Sequence, residues 1–210
     1  MHTLYYAPGA ASMAVHWLLI ELDLPHELVR IDTAAGEQKR PEYLALNPNG
    51  VVPTLVSDGV AHYEAAALLA WLADAYPQAG LAPAPDDSRR ADYLQWMFHL
   101  ANAVQPLFRQ WWYPHEPAGE GCADAVRGHV APRIESAWDR IDKHLSEHGP
   151  YLLGGDLSVV DLYLVMLMRW SRNMARPASD WRALAALAAR LKARPSFRTL
   201  CEREGLEDWT

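Results

Sequence analysis

The run Asn47-Pro48-Asn49-Gly50-Val51-Val52-Pro53-Thr54-Leu55-Val56, closed by Asp58-Gly59 and followed by Tyr63-Glu64-Ala65, leaves this part of the chain few alternatives. Val51 to Val56 is apolar and β-branched, as a buried strand should be, yet Pro53 stands at its start and has no N–H for a ladder. A proline there predicts a turn whose neighbouring backbone groups are left for another partner. Asp58-Gly59 fits a two-residue hairpin loop, in which both central positions take positive φ. Val60-Ala61-His62 returns as a strand. Glu64 to Tyr76 (EAAALLAWLADAY) is then a strong helix former with an acid in its first turn. The free N–H groups at that helix start suit an anion.

The flanking segments extend the pattern. Thr3 to Tyr6 reads as a strand, Ser12 to Leu22 as a helix with Ser12 as its N-cap, and His26 to Ile31 as a second strand. Thr33 to Gln38 is a loop, and Pro41-Glu42-Tyr43-Leu44 begins a short helix with proline in its first position. The order βαβαββα is α/β, a mixed sheet covered by helices. Pro77 to Asp87 (PQAGLAPAPDD) is the best linker candidate. Beyond it the apolar period is 3.6, and helices are expected over 88–112, 123–147, 158–174, 180–193 and 195–203. Pro106 should bend or break the first of these, and Pro132 lies near the start of the next. The expected division is an α/β domain over 1–78, a linker over 79–87, and an all-α domain over 88–210. Ser158 and Asp161 have capping-box spacing, which argues for folding rather than chemistry.

Bulk properties remove several function classes. A formal charge of −7 argues against a nucleic-acid partner. Two cysteines, Cys122 and Cys201, lie far apart without CxxC spacing, so a disulfide scaffold and a dithiol redox pair are excluded. No apolar run is long enough to span a membrane and no secretory signal is visible, so a cytoplasmic protein is expected. His144 and His148 are spaced i, i+4, but with no third ligand nearby a solvated helix end explains them better than a metal. No metal site is expected.

These residues resemble a known family. NPNGVVPTL, the Asp-Gly hairpin and the helix after Glu64 are similar to the thioredoxin-like domain of glutathione transferases. Leu4-Tyr5-Tyr6-Ala7-Pro8-Gly9-Ala10-Ala11-Ser12 resembles the opening of the bacterial beta class. Leu153-Gly154-Gly155-Asp156-Leu157-Ser158-Val159-Val160-Asp161 resembles the family's helix-capping signature, and Arg169-Trp170 also matches the beta class. The resemblance covers nearly the whole chain. It implies a homodimer that takes glutathione as co-substrate and conjugates its thiol to a small hydrophobic electrophile. Other glutathione-dependent chemistry (isomerisation, dehalogenation, ether cleavage) and a non-catalytic binding or regulatory role are the alternatives.

Such an enzyme must ionise a thiol whose ordinary pKa, ~8.5, leaves only a few per cent thiolate at neutral pH. Lowering it by about two units takes roughly 2.7 kcal/mol of preference for the anion. A hydroxyl aimed at sulfur near a helix N-terminus suits that task, and Ser12 and Tyr6 are the candidates, Ser12 first. The resemblance also implies a cis Val52-Pro53 bond, with Val52 pairing its backbone with the cysteinyl unit. Glu64 would then meet the ligand's ammonium group, and the Ala65 N–H its carboxylate. Candidates for the electrophile are Trp111, Trp112, Tyr113, His115 and Trp170, which would place it between the domains; consecutive rings at 111–113 cannot all face one core. The chain departs from the beta class at Ala11, where that class has cysteine, and at Ala65, where it has serine. It departs again at Ala101-Asn102 in place of a His-Lys pair, so Asn102 is the glutathione contact expected there.

Overall fold

The computed structural model describes residues 1–209. The chain divides into two compact units. One joins Met1–Leu81 to the described residues from Lys192 onward, and the other is Ala82–Leu191. The expected division assigned everything after residue 88 to one helical domain, whereas the last helix here belongs with the first unit.

The first unit contains β1 (His2–Tyr6), α1 (Ser12–Glu21), β2 (His26–Arg30), α2 (Pro41–Leu44), β3 (Thr54–Ser57), β4 (Val60–Tyr63) and α3 (Ala65–Ala75). The sheet order is β2-β1-β3-β4. β1 and β2 are parallel, and the other two pairs are antiparallel, so the sheet is mixed as expected. Asp58 and Gly59 have φ of 49° and 83°, the positive values that a two-residue loop requires. Leu4, Met13, Trp17, Leu18, Leu55, Leu68, Leu69 and Leu72 are fully or almost fully buried and form the core.

Two helix starts differ from expectation. Ser12 is not an N-cap: α1 begins at Ser12 itself, Ala11 precedes it, and no side chain caps the helix. The Ser12 hydroxyl reaches upstream to Ala7 instead. Glu64 is not within a first turn either, because it occupies the N-cap position of α3 with φ 73° and ψ 107°.

In the second unit α4 (Arg90–His99) runs into a π-helical turn, Leu100–Val104, before α5 (Gln105–Trp112). Pro106 lies in the first turn of α5, so the missing N–H that should have broken the helix is accommodated by the wider turn ahead of it. A single turn, α6 (His115–Ala118), was not foreseen; α7 (Ala123–His148) carries Pro132 well inside it, and α8 (Val159–Trp170) and α9 (Arg182–Lys192) follow. Every residue of α8 from Val159 to Arg169 is buried, the signature of a central helix. The last helix, α10 (Pro195–Glu204), returns to the first unit. There the Trp17 indole donates to Ser196 Oγ at 3.0 Å, and its ring lies 5.0 Å from that of Phe197.

The Ser158–Asp161 capping box is present. Asp161 Oδ2 accepts from the Ser158 N–H at 2.9 Å, and Oδ1 accepts from the Leu152 N–H at 2.8 Å. Burial pushes the Asp161 carboxyl up to about 6, against the opposing pull of those hydrogen bonds. An acid whose pKa is raised by folding binds more protons folded than unfolded, so its contribution to stability falls as pH rises. Between pH ~4 and ~6 the stability of the wild type relative to Asp161→Asn is expected to decline, by as much as ~3 kcal/mol, and then to level off. Urea unfolding of both proteins at several pH values checks this, and a flat difference would refute it.

Candidate functional site

Strand register gathers several of the candidate residues at one end of the sheet. Thr54 lies opposite Tyr5 on one side and Tyr63 on the other. The next residues outward are therefore Tyr6, the Val52-Pro53 turn and Glu64. The segment leading into α1 starts from the same end.

The Val52-Pro53 bond is cis. The turn is held from behind: the Tyr43 hydroxyl and Asn47 Nδ2 both donate to the Val51 carbonyl at 2.8 Å. Tyr43 Oη also lies 2.8 Å from Thr54 Oγ1, and burial raises its pKa. Val52 itself, half-buried, makes no backbone hydrogen bond to any described residue. Its N–H and C=O are thus the free backbone pair that the sequence pattern called for, flanked by residues that are fixed.

At α3 the first intrahelical bond runs from the Leu68 N–H to the Glu64 carbonyl, and no side chain caps the earlier N–H groups. Glu64 is exposed and its carboxylate has no partner among the described residues. Its backbone lies outside the regions that a side chain ordinarily adopts, a conformation costing on the order of 1–3 kcal/mol. This outlier stands between the uncapped start of α3 and the unpaired Val52 backbone.

Ser12 is fully buried. Its Oγ donates to the Ala7 carbonyl at 3.1 Å and accepts the Ala7 N–H at 3.2 Å, so one hydroxyl closes the loop from Ala7 to Ser12. Tyr6 is also buried, with its ring 5.9 Å from that of His16, and its hydroxyl has no partner among the described residues. Residues that sequence reasoning missed hold the loop from the other side. Glu204, at the end of α10, accepts the Gly9 N–H on Oε2 at 2.8 Å, while its Oε1 meets His16 Nδ1 at 2.8 Å. Both side chains are completely buried. A charged residue in the run Phe197-Arg198-Thr199-Leu200-Cys201-Glu202-Arg203-Glu204 gives no sign of inward orientation, so nothing in the sequence marked it.

The remaining candidates belong to the second unit. Asn102 is exposed on the π-helical turn. Trp170 is half-buried, edge-on to Phe108 at 6.0 Å, and Phe108 in turn meets the fully buried Trp138. Trp111 is half-buried, whereas Trp112 and Tyr113 are 38% and 42% exposed, as consecutive helical directions require. His115 is exposed, its ring 6.3 Å from that of Tyr113. His144 is not simply solvated, since its Nε2 lies 2.9 Å from the Leu152 carbonyl and its ring stacks on His148. Among the described residues no three His, Cys, Asp or Glu side chains gather as metal ligands, and no helix is long and apolar enough to cross a membrane.

A thioredoxin-like α/β unit with a cis-proline turn beside a helix start, joined in sequence to an all-α unit, defines the class. The comparisons name the family. The model of the glutathione S-transferase N-terminal domain matches residues 10–75, and that of the C-terminal domain matches residues 123–203. The chain is 32% identical over 207 residues to glutathione S-transferase GST-4.5 of Xanthomonas campestris, covering 97% of this chain and 98% of that protein. A glutathione transferase homologue from Sulfitobacter, solved with bound glutathione, superposes with a TM-score of 0.88 at 29% identity, covering 97% and 98% of the two chains. A bacterial beta class glutathione S-transferase from Sphingomonas chungbukensis gives 0.85 at 27% identity over 97% and 99%. The chain belongs to the glutathione S-transferase family.

Proposed function

We propose that the protein is a glutathione transferase, active in the cytoplasm as a homodimer, that joins the thiol of reduced glutathione to small hydrophobic electrophiles. The observation that carries this reading is the convergence of the free Val52 backbone pair with Glu64 and the uncapped start of α3 at one end of the sheet. An extended peptide pairs its cysteinyl backbone with Val52. Its γ-glutamyl end brings an ammonium to Glu64 and a carboxylate to the Ala65 N–H. Asn102 is a further candidate contact for glutathione. Full-length relatives that carry the transferase name support the reading.

The sulfur then falls near the start of α1, where Ser12 donates to it. That donation requires the hydroxyl to leave the Ala7 carbonyl, a rotation about one bond. Tyr6 supplies the second hydroxyl. Trp111, Tyr113, His115 and Trp170 are the candidate contacts for the electrophile, and bringing thiolate and electrophile together contributes the remaining acceleration as proximity.

Calorimetric titration with reduced glutathione tests the reading. Saturable binding between micromolar and low millimolar concentration is expected, and no heat at several millimolar would overturn it. Glu64→Gly gives a sharper check, because glycine relieves the positive φ while removing the carboxylate. Its stability should rise by ~1 kcal/mol while glutathione affinity falls about tenfold or more. A variant that binds as tightly as wild type would detach Glu64 from the ligand.

A further inference from the structure

The last turn of α10 is tied to the rest of the first unit by two adjacent residues that face different partners. Glu204 turns inward to the Gly9 N–H and His16. Arg203 is exposed and reaches β2, where its Nη1 lies 3.2 Å from His26 Nε2. His26 is half-buried, and its Nδ1 lies 2.7 Å from the Leu24 carbonyl. A carbonyl can only accept, so Nδ1 carries a proton and the neutral ring offers Nε2 as the acceptor for Arg203. The two ties meet in one cluster, with the His26 ring edge-on to that of His16 at 5.4 Å.

The Arg203–His26 bond exists in one protonation state alone. A proton on Nε2 takes away the lone pair that Arg203 uses and sets an imidazolium against a guanidinium. The remaining groups around His26 give that cation little relief. From α1 it faces His16, which is engaged with Glu204, and from β1 it faces His2, itself close to the Met1 ammonium and Asp58. Burial lowers the His26 pKa, and His16, Arg203 and His2 lower it further, against the opposing pull of the Leu24 carbonyl. An imidazole whose pKa is lowered by folding binds fewer protons folded than unfolded, so it costs stability as pH falls below ~6.5.

We propose that His26 is an acid-sensitive latch on the catalytic loop: its protonation releases Arg203, frees the last turn of α10, and through Glu204 loosens the segment from Ala7 to Ser12. The motion stands on the contacts within the first unit. Its consequence, a thiol site set at neutral pH and slack in mild acid, rests on the transferase reading.

Two substitutions hold the latch in its two states. His26→Gln keeps an uncharged acceptor and takes no proton, whereas His26→Lys is cationic throughout the working range. Amide hydrogen exchange of residues 7–12, corrected for the intrinsic pH dependence of exchange, reads the motion between about pH 7.5 and about pH 5. Wild-type protection of this segment is expected to fall about fivefold or more across that range, and that of His26→Gln to change by less than about twofold. His26→Lys should be poorly protected already at the upper pH. Arg203→Gln, which leaves the sheet untouched, should show the same low protection at both pH values. Helix α3 should keep its protection in every protein, which separates local release from general acid unfolding. Wild-type protection that persists at the lower pH, or Arg203→Gln protected as well as wild type at the upper pH, would overturn the latch. Calorimetric titration with reduced glutathione tells the two readings apart. Switching of exchange with no glutathione binding at either pH would sink the transferase reading and leave the latch standing, whereas binding without switching would sink the latch alone.

Discussion

Glu204→Ala is expected to destabilise the protein by about 3–5 kcal/mol, the largest effect of any single polar substitution proposed for this chain. Glu204 and His16 are both completely buried, 2.8 Å apart, and the other carboxylate oxygen receives the Gly9 N–H. Truncation removes both interactions and leaves an imidazole nitrogen in the core without its partner. Glu204→Gln keeps an acceptor in place and should recover a substantial part of the loss. Urea unfolding reads the difference, and a cost below ~1 kcal/mol for alanine would show that water or a rearranged side chain replaces the carboxylate. The same substitution frees the segment from Ala7 to Ser12, so turnover should fall even at temperatures where the variant is fully folded.

Ser12→Ala is expected to lower kcat/KM by about a hundredfold, in the range seen when one preorganised donor to a developing anion is removed. It also deletes both bonds from the hydroxyl to Ala7, so a stability loss of ~2 kcal/mol should accompany it. The two consequences separate through pH. A donor to sulfur stabilises the thiolate, so its removal should move the rising limb of the pH–rate profile to higher pH. A loop brace alone would lower the rate without moving that limb. Tyr6→Phe, assayed alongside, reports the share of the second hydroxyl.

What the sequence reveals here depends on how far apart the interacting residues lie in the chain. The Asp58-Gly59 turn, the proline turn at Val52-Pro53 and the Ser158–Asp161 cap are local solutions to local backbone constraints, and each is present in the structure. Ser12 misled because a serine at a helix start ordinarily caps downstream, whereas this one bonds five residues back to Ala7. Pro106 misled in the same way, since a proline signals a break and says nothing of the π-helical turn that absorbs it. Glu204 and its partner His16 are 188 residues apart, and no periodicity links them.

The unit that carries the proposed glutathione contacts is discontinuous in sequence, closed at Leu81 and resumed only at Lys192. A nascent chain can therefore form the sheet and α1 early and still lack the carboxylate that fixes the segment before Ser12. Domains ordinarily fold in order of synthesis, N-terminal first. Here the first unit to begin is the last to be completed, and the whole helical unit must be made in between. A ribosome-bound or C-terminally clipped chain would thus lack the Glu204 carboxylate that receives the Gly9 N–H and meets His16.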